Sequence, residues 1–322
     1  MPVIQVKRNP ADIDLPAVTE LLAAATEADA HPSLGEHAWL DLVQGGREGF
    51  AGLVAWEEGH SHPVGYAQLT RGAPEGAAEH PSWALEVVVD PHHRTVGNTV
   101  AIDLVRSAID VITSEGGGHL HLWVSQPGQF HERMAAAAGL SPGRALYQMR
   151  RKLPVDERAT IKVRPFEVGR DEDAWLEVNN RAFSWHPEQG GWTEATLKAR
   201  EAQIWFEPAG FLLYEQDGRL GGFCWTKIHE DRGHGRPVGE IYVVAVDPDF
   251  SGHGLGRQLT LAGLDYLSAR GLEEAMLYVD ATNAAAVKMY VDLGFTINHI
   301  DRAYTGDIPP HLAATGPEKA AG

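Results

Sequence analysis

The sequence predicts two tandem copies of one mixed α/β fold, and three observations predict it. The first is a collinear internal repeat. Ala17-Val18-Thr19-Glu20-Leu21 corresponds to Ala174-Trp175-Leu176-Glu177-Val178, Gly65-Tyr66 to Gly222-Phe223, Val89-Asp90-Pro91 to Val246-Asp247-Pro248, and Gly97 to Gly254, all at an offset of 157 residues. Nearer the ends the offset slips to 155, where Ala138-Gly139-Leu140 meets Leu293-Gly294-Phe295. The second is an alternation of strand-like and helix-like patterns within each copy. The third is an apolar run, Ile241 to Val246, followed by a glycine-containing loop and an amphipathic helix. These place a first domain at residues 1–152, a second at 160–305, a joint around Leu153-Pro154-Val155-Asp156-Glu157-Arg158, and a flexible tail over 306–322.

The second copy has the clearer elements. Ala174 to Phe183 reads as a helix and Phe211 to Tyr214 as a short strand. Gln216-Asp217-Gly218-Arg219 is a turn signal before a strand from Leu220 to Ile228, which makes a hairpin. Ile241 to Val246 is β-branched at four of six positions and reads as a strand buried on both faces. Asp247-Pro248-Asp249 ends it. After Gly254-Leu255-Gly256, apolar residues at Leu255, Leu259, Ala262 and Tyr266 fall on one helical face, and Gly271 stops the helix. Met276 to Val279 is another strand, Ala284 to Leu293 a helix ended by Gly294, and Phe295 begins a last strand.

Composition excludes several functions. With 322 residues, 43% hydrophobic and 22% charged, either half can bury a core of its own. Acidic residues number 44 against 27 basic, a formal charge of -17. Nonspecific nucleic-acid binding needs the opposite balance, whereas a cationic or amine partner is favoured. No segment approaches the ~18 uninterrupted apolar residues of a membrane span. The start, MPVIQVKRNPADID, lacks a signal-peptide pattern. The single Cys224 excludes an intrachain disulfide and is expected as a small buried hydrophobe in a reducing cytosol. There are 16 histidines, but no His-x-x-x-His helix and no cysteine partners, so no metal site is expected. His92-His93 reads as a surface turn, and His229 and His234 as the flanks of a hairpin tip.

The most informative stretch is Val244-Ala245-Val246-Asp247-Pro248-Asp249-Phe250-Ser251-Gly252-His253-Gly254-Leu255-Gly256-Arg257. A strand ends, glycines remove Cβ atoms, and a helix begins. Free amides and the helix dipole then favour an anion without a lysine. No Gly-Lys-Ser/Thr follows, which excludes a Walker loop, and the spacing does not fit a dinucleotide fingerprint. A plain tight turn is the other reading of such a loop.

This loop resembles motif A of the GNAT acetyltransferase superfamily, Gln/Arg-x-x-Gly-x-Gly/Ala, with Ser251, Gly254 and Gly256 at the signature positions. Asn283-Ala284-Ala285-Ala286-Val287-Lys288-Met289-Tyr290-Val291-Asp292-Leu293-Gly294-Phe295 is similar to the family's Asn-x-x-Ala-x-x-x-Tyr-x-x-x-Gly-Phe element. The resemblance implies two tandem GNAT folds and an acetyl-CoA cosubstrate. Its pyrophosphate would lie over Ser251, Gly252, His253, Gly254, Leu255, Gly256 and Arg257. Its pantetheine would pair beside Val244, Ala245 and Val246 and be lined by Asn283, Ala284, Ala285, Ala286, Val287 and Lys288. The family chemistry implies an oxyanion donor at the Val244 amide and a thiolate-protonating acid at Tyr290. Glu240, just before the central strand, fits a general base. A strand-edge acid and a core aromatic are the structural alternatives for Glu240 and Tyr290.

In the first copy, Arg94 and Gly97 keep two signature positions, but Thr99 replaces the second glycine. Ala135 replaces Tyr290, Gly128 replaces Asn283 and Trp83 replaces Glu240. The first copy is therefore expected to be noncatalytic. It could still hold acetyl-CoA around Val87, Val88 and Val89 and the segment Thr95, Val96, Gly97, Asn98, Thr99 and Val100, or merely shape the substrate cleft.

The Asn179–Thr193 segment, above all His186-Pro187-Glu188-Gln189-Gly190-Gly191-Trp192, resembles the mycothiol-forming tandem branch of the superfamily in actinobacteria. Phe223-Cys224-Trp225-Thr226-Lys227 and Gly239-Glu240-Ile241-Tyr242-Val243 do so too. That implies a small-molecule substrate, the cysteinyl amine of a cysteinyl-glucosaminyl-inositol pseudodisaccharide. Glu36, Glu188, Lys227, Glu240 and Tyr278 would be its contacts, with the substrate between the domains. A monomer is expected. Acetylation of another amine, such as an aminoglycoside or a protein N-terminus, and a noncatalytic acyl-CoA sensor are the alternatives.

Overall fold

A computed structural model describes residues 2–46, 49–72, 80–95, 97–184, 190–230 and 236–311. In chain order its elements are β1 (Val3–Lys7), α1 (Leu15–Asp29), α2 (Glu36–Gln44), β2 (Ala51–Trp56), β3 (Gly65–Gly72), β4 (Ser82–Val89), α3 (Val100–Ser114), β5 (Gly118–Val124), α4 (Gln129–Ala137) and β6 (Ser141–Lys152). The second repeat continues with β7 (Arg164–Pro165), α5 (Glu172–Ala182), α6 (Glu194–Glu201), β8 (Phe211–Gln216), β9 (Arg219–His229), β10 (Val238–Val246), α7 (Leu255–Ala269), β11 (Glu274–Asp280), α8 (Ala284–Asp292) and β12 (Thr296–Ile308). No described helix is long and apolar enough to cross a membrane.

Two compact units form, one of Met1–Arg144 with the chain from Asp301 onward, the other of Ala145–Ile300. Their boundaries differ from the repeat boundary because each unit borrows a strand. In the first unit the sheet order is β1-β2-β3-β4-β5-β12, with β12 antiparallel to β5 from Arg302↔Val124 to Ile308↔Gly118. In the second it is β6-β11-β10-β9-β8-β7, with β6 antiparallel to β11 from Lys152↔Glu274 to Leu146↔Asp280. Among the described pairings within the two units, β4/β5 and β10/β11 are the parallel ones. Gly306, Asp307 and Ile308 are therefore sheet residues, so the strand runs three residues into the stretch expected as tail. Residues 312–322 lie outside the described set.

Local chemistry explains the joints. Asp90 and Asp247 are both buried. Each accepts the amide two residues on, from His92 at 2.8 Å and from Asp249 at 2.9 Å. That turns the chain out of β4 and of β10 at the same place in both repeats. In the β8–β9 hairpin, Asp217 and Gly218 have φ of 52° and 75°, the left-handed pair of a tight primed turn.

In the second unit, α7 covers one sheet face through Leu259, Leu264 and Leu267, which pack with Cys224, Ile241 and Leu277. Gly263 lets it approach: a Cβ there would lie 2.5 Å from Cys224 Sγ and 2.7 Å from Ile241 Cδ1. The opposite face carries an aromatic cluster around Trp175, with Phe211, Phe223, Trp225 and Trp192. In the first unit, α3 packs with Leu53, Leu69, Leu85 and Leu122, while α1 and α2 cover the other face at Val54, Tyr66 and Val88.

Candidate active site

β10 carries a bulge. Ile241 pairs with Thr226, but the next pair is Val243 with Trp225, so Tyr242 is the extra residue. Bulges disrupt a ladder locally and re-aim side chains. The parallel pairing with β11 consists of Gly239↔Ala275, Glu240↔Met276 and Ile241↔Leu277 and stops where the bulge begins. Beyond it, among the described residues, β10 pairs with β9 alone.

The direction of its free backbone groups follows from alternation. Asp247 N–H bonds to Gly221 O at 3.0 Å, so the Ala245 peptide groups also turn toward β9. Those of Val244 and Val246 turn the other way, into the gap. An extended chain carrying amides can pair there as an added strand. Val244 and Val246 are half-buried, which corrects the expectation of a strand buried on both faces: the gap exposes one side of it.

The glycine loop closes one end of this gap. Gly252 and Gly254 have φ of 84° and 76°, and a Cβ on either would meet nothing within 4 Å. They are needed for backbone conformation and leave open space beside it. Gly256 is different, because a Cβ there would only touch Val246 and Met289 at ordinary distances. The N-cap of α7, Gly254, offers no side chain, so the first-turn amides have no acceptor within the helix. Their partial positive charge suits a phosphate. Ser251 donates its hydroxyl to Pro248 O at 2.7 Å, and Arg257 is held by Glu157. Asn283 caps α8, accepting the Ala286 amide at 3.1 Å, and so fixes the helix from Ala284 through Lys288. These features fit an acyl-CoA: an amide-paired arm and a diphosphate on a helix end.

Glu240 is buried, not an exposed strand-edge acid, and its Oε2 lies 2.7 Å from His229 Nε2. His229 ends β9 and is 38% exposed, so it joins the buried carboxylate to solvent. As expected, it flanks the antiparallel β9–β10 connection, opposite Val238. His234 and the rest of 231–235 lie outside the described residues. Tyr290 is buried on α8 beside Phe295, their rings 5.9 Å apart. Desolvation, with the neighbouring Cys224 thiol second, pushes its hydroxyl above the usual tyrosine range, so it stays a proton donor. Cys224 is the register partner of Val244, which brings Tyr290 to the strand position with the free amide.

One sheet face collects three of the substrate candidates of the second unit. Glu240 pairs with Lys227 on one side and Met276 on the other, and Tyr278 follows Met276 by two. Lys227, Glu240 and Tyr278 therefore share a face. Lys227 Nζ sits 4.3 Å from the Trp205 ring centre and 5.2 Å from that of Tyr242. Arg200 lies 4.1 Å over Trp192, and its Nε donates to the Tyr242 hydroxyl at 3.2 Å. Gln148 donates to the Tyr278 hydroxyl at 2.8 Å. Trp205, Arg200 and Tyr242 were not singled out from the sequence. Helix α6, which carries Arg200, is short and polar, and the bulge that aims Tyr242 has no sequence signature. Glu36 stands in the first turn of α2 in the other unit. Glu188 lies outside the described residues, with the rest of 185–189.

The first repeat keeps the frame and fills it differently. Its β4 pairs with β5 over five residues, Ser82 to Glu86, without a bulge. The gap therefore opens only at Val87, two residues later than in the second repeat. By the same alternation, Val87 and Val89 turn away from β3, since Asp90 N–H bonds to Val64 O. Arg94, however, donates to Val89 O at 2.9 Å and pairs with Asp29 at 2.5 Å. Asn98 accepts the Val100 amide at 2.9 Å, and Thr99 donates to the Asp103 carboxylate at the helix start. Gly97 has φ of 93°, Thr95 precedes it, and Val96 lies outside the described residues. Trp83 is buried and donates to Gly117 O at 3.1 Å, and Ala135 is buried in the core, so neither position carries an acid or base.

The Acetyltransferase (GNAT) family profile matches residues 174–295. A mycothiol acetyltransferase of Acidimicrobium ferrooxidans is 41% identical over 303 residues, covering 91% of this chain and 94% of that one. One of Thermomonospora curvata is 44% identical over 305 residues, covering 92% and 95%. Among solved structures, a GCN5-related N-acetyltransferase from Sphaerobacter thermophilus superimposes with a TM-score of 0.66 at 23% identity, covering 96% of each chain. A tandem GNAT protein from the clavulanic acid biosynthesis pathway gives 0.64 at 16% identity, covering 96% of this chain and 99% of that one. The fold is thus that of tandem GNAT proteins. With relatives this similar over nearly the whole length, the chain belongs to the mycothiol acetyltransferase family of GNAT enzymes.

Proposed function

We propose that the second repeat moves acetyl from acetyl-CoA to the cysteinyl α-amine of a cysteinyl-glucosaminyl-inositol pseudodisaccharide, forming mycothiol, while the first repeat is noncatalytic. The bulged, open edge of β10 beside the buried Glu240–His229 pair carries this reading. The names of the relatives support the substrate. An α-amine has a reference pKa of about 7.7–8.0, so it needs only a modest base near neutral pH. Glu240 takes its proton and passes it through His229 toward solvent. The neutral nitrogen attacks the thioester carbonyl. Val244 N–H, already turned into the gap, holds the oxyanion. As the carbon–sulfur bond breaks, Tyr290 gives its proton to the departing thiolate. Lys227, Tyr278 and Glu188 hold the substrate, and the aromatic rings of Trp205 and Tyr242 offer flat faces to its sugar.

The alternation in the first repeat leaves a backbone edge at Val87 and Val89 for a second acyl-CoA. Arg94 and Asp103 make that site weaker than the one at Val244. The protein acts as a cytosolic monomer, which sedimentation at working concentration checks.

The decisive experiment incubates the protein with acetyl-CoA and a panel of amines that includes the pseudodisaccharide and an aminoglycoside. Products are read by mass, because the substrate itself carries a thiol. The pseudodisaccharide is expected to gain one acetyl group on nitrogen. Acetylation of the aminoglycoside alone would redirect the substrate, and CoA binding without any product would make the protein a sensor. Tyr290→Phe is expected to lose ~10²–10⁴-fold in turnover.

A further inference from the structure

We propose that Glu57, His60 and His93 form a binding site for a zinc-class divalent cation in the first unit, independent of the acetyl-transfer reading. Glu57 directly follows β2, His60 lies in the connection to β3, and His93 closes the 3₁₀ turn after β4. One ligand atom from each lies within 4.8 Å of the others. His93 Nε2 and Glu57 Oε2 are 3.3 Å apart. A tetrahedral cation with bonds of about 2.0–2.2 Å sets its ligand atoms roughly 3.4 Å from one another, so this pair already has the spacing of one edge. The His60 ring, exposed and 5.0 Å from that of His93, needs a small swing to complete the set.

The hydrogen bonding behind His93 strengthens the assignment. Its Nδ1 lies 3.3 Å from the buried Asp90 Oδ1. A carboxylate on Nδ1 holds the proton there and leaves the Nε2 lone pair facing Glu57. Asp90 is also approached by His92 Nδ1 at 3.2 Å and His62 Nε2 at 3.9 Å. Two imidazoles and one carboxylate suit zinc and leave a fourth position for water.

Nothing in the acetyl-transfer frame requires this cluster. The second repeat joins its equivalent strands through Asp217-Gly218 alone, and its Asp247 pairs with Arg181 at 3.1 Å instead of histidines. The cation would tie the β2–β3 connection to the β4 turn in a chain whose single cysteine is free. The absence of a local spacing motif hid it in the sequence, because the ligands come from two loops. The turn expected at His92-His93 is present, with His92 91% exposed, but His93 is only 13% exposed and packed between carboxylates.

The untagged full chain, stripped with a chelator and dialysed, is titrated with zinc chloride by calorimetry. One equivalent is expected, with a melting temperature that rises on loading. His60→Ala, in an exposed connection, should weaken binding at least tenfold and abolish that rise. Asp90→Asn, which can still accept the His92 amide, should weaken it ~10–100-fold. Failure of the wild type to take up zinc overturns the proposal, and so does uptake that His60→Ala leaves unchanged.

Discussion

Glu240 illustrates how much a single side chain gains from its neighbour. A buried carboxylate 2.7 Å from a half-exposed imidazole has a route for its proton that an isolated acid lacks. Glu240→Gln should therefore reduce kcat/KM ~10²–10⁴-fold. His229→Gln keeps a hydrogen-bonding group but removes the imidazole that leads from Glu240 to solvent. It is expected to lower kcat less than Glu240→Gln does and to leave KM for acetyl-CoA unchanged. Cys224 shows the opposite effect of burial. Desolvation pushes its thiol up to about 12. The thiolate that alkylating agents attack is then absent, so native protein should resist iodoacetamide and release one reactive thiol on denaturation. Because the folded value lies above the ordinary thiol value of 9.0, the stabilising contribution is complete below pH 9 and disappears as pH rises toward 12. The stability of wild type relative to Cys224→Ala should fall across that window in alkaline melting curves.

Elements succeed here where a glycine or a polar cap decides a single backbone position. The α7 N-terminus, the Gly218 turn and both Asp-Pro turns were legible from residue type. The bulge at Tyr242 was not, because it depends on how β9 and β11 grip β10 from either side. Gly254 separates backbone need from steric access. Its φ of 76° strains any other residue by roughly 1–2 kcal/mol, and a Cβ would enter the open cradle. Gly254→Ala should therefore raise KM for acetyl-CoA with a smaller effect on kcat. Arg94→Ala, which frees the Val89 carbonyl, should tighten any second acyl-CoA equivalent seen by calorimetry.

At the scale of the molecule, the two repeats are not two independent folding bodies. Tyr304 and Ile308, from the second repeat, complete the core that holds Leu120 and Leu122. Met149 and Leu153, from the first, complete the one that holds Leu277 and Phe295. Residues 1–152 expressed alone lack the β12 partner of β5 and expose an unpaired apolar edge. Residues 160–305 alone lack β6 beside β11. Each half is expected to be insoluble or to self-associate, and co-expression should restore soluble, active protein. Soluble, cooperative melting of either half by itself would contradict this.

By itself the sequence determined the repeat, the order of elements in its second copy and the glycine loop that opens α7, and it named the residues proposed here for acetyl transfer. These are local matters: glycines, caps, turn residues and periodicity act within a few positions of where they are written. Only the tertiary structure decided that β10 parts from β11 at a bulge, that Glu240 meets His229, that Lys227 lies over Trp205, and that each repeat lends the other a strand. Those outcomes depend on pairing between segments far apart in the chain, where register and burial are set by the competing partners together and by no residue alone.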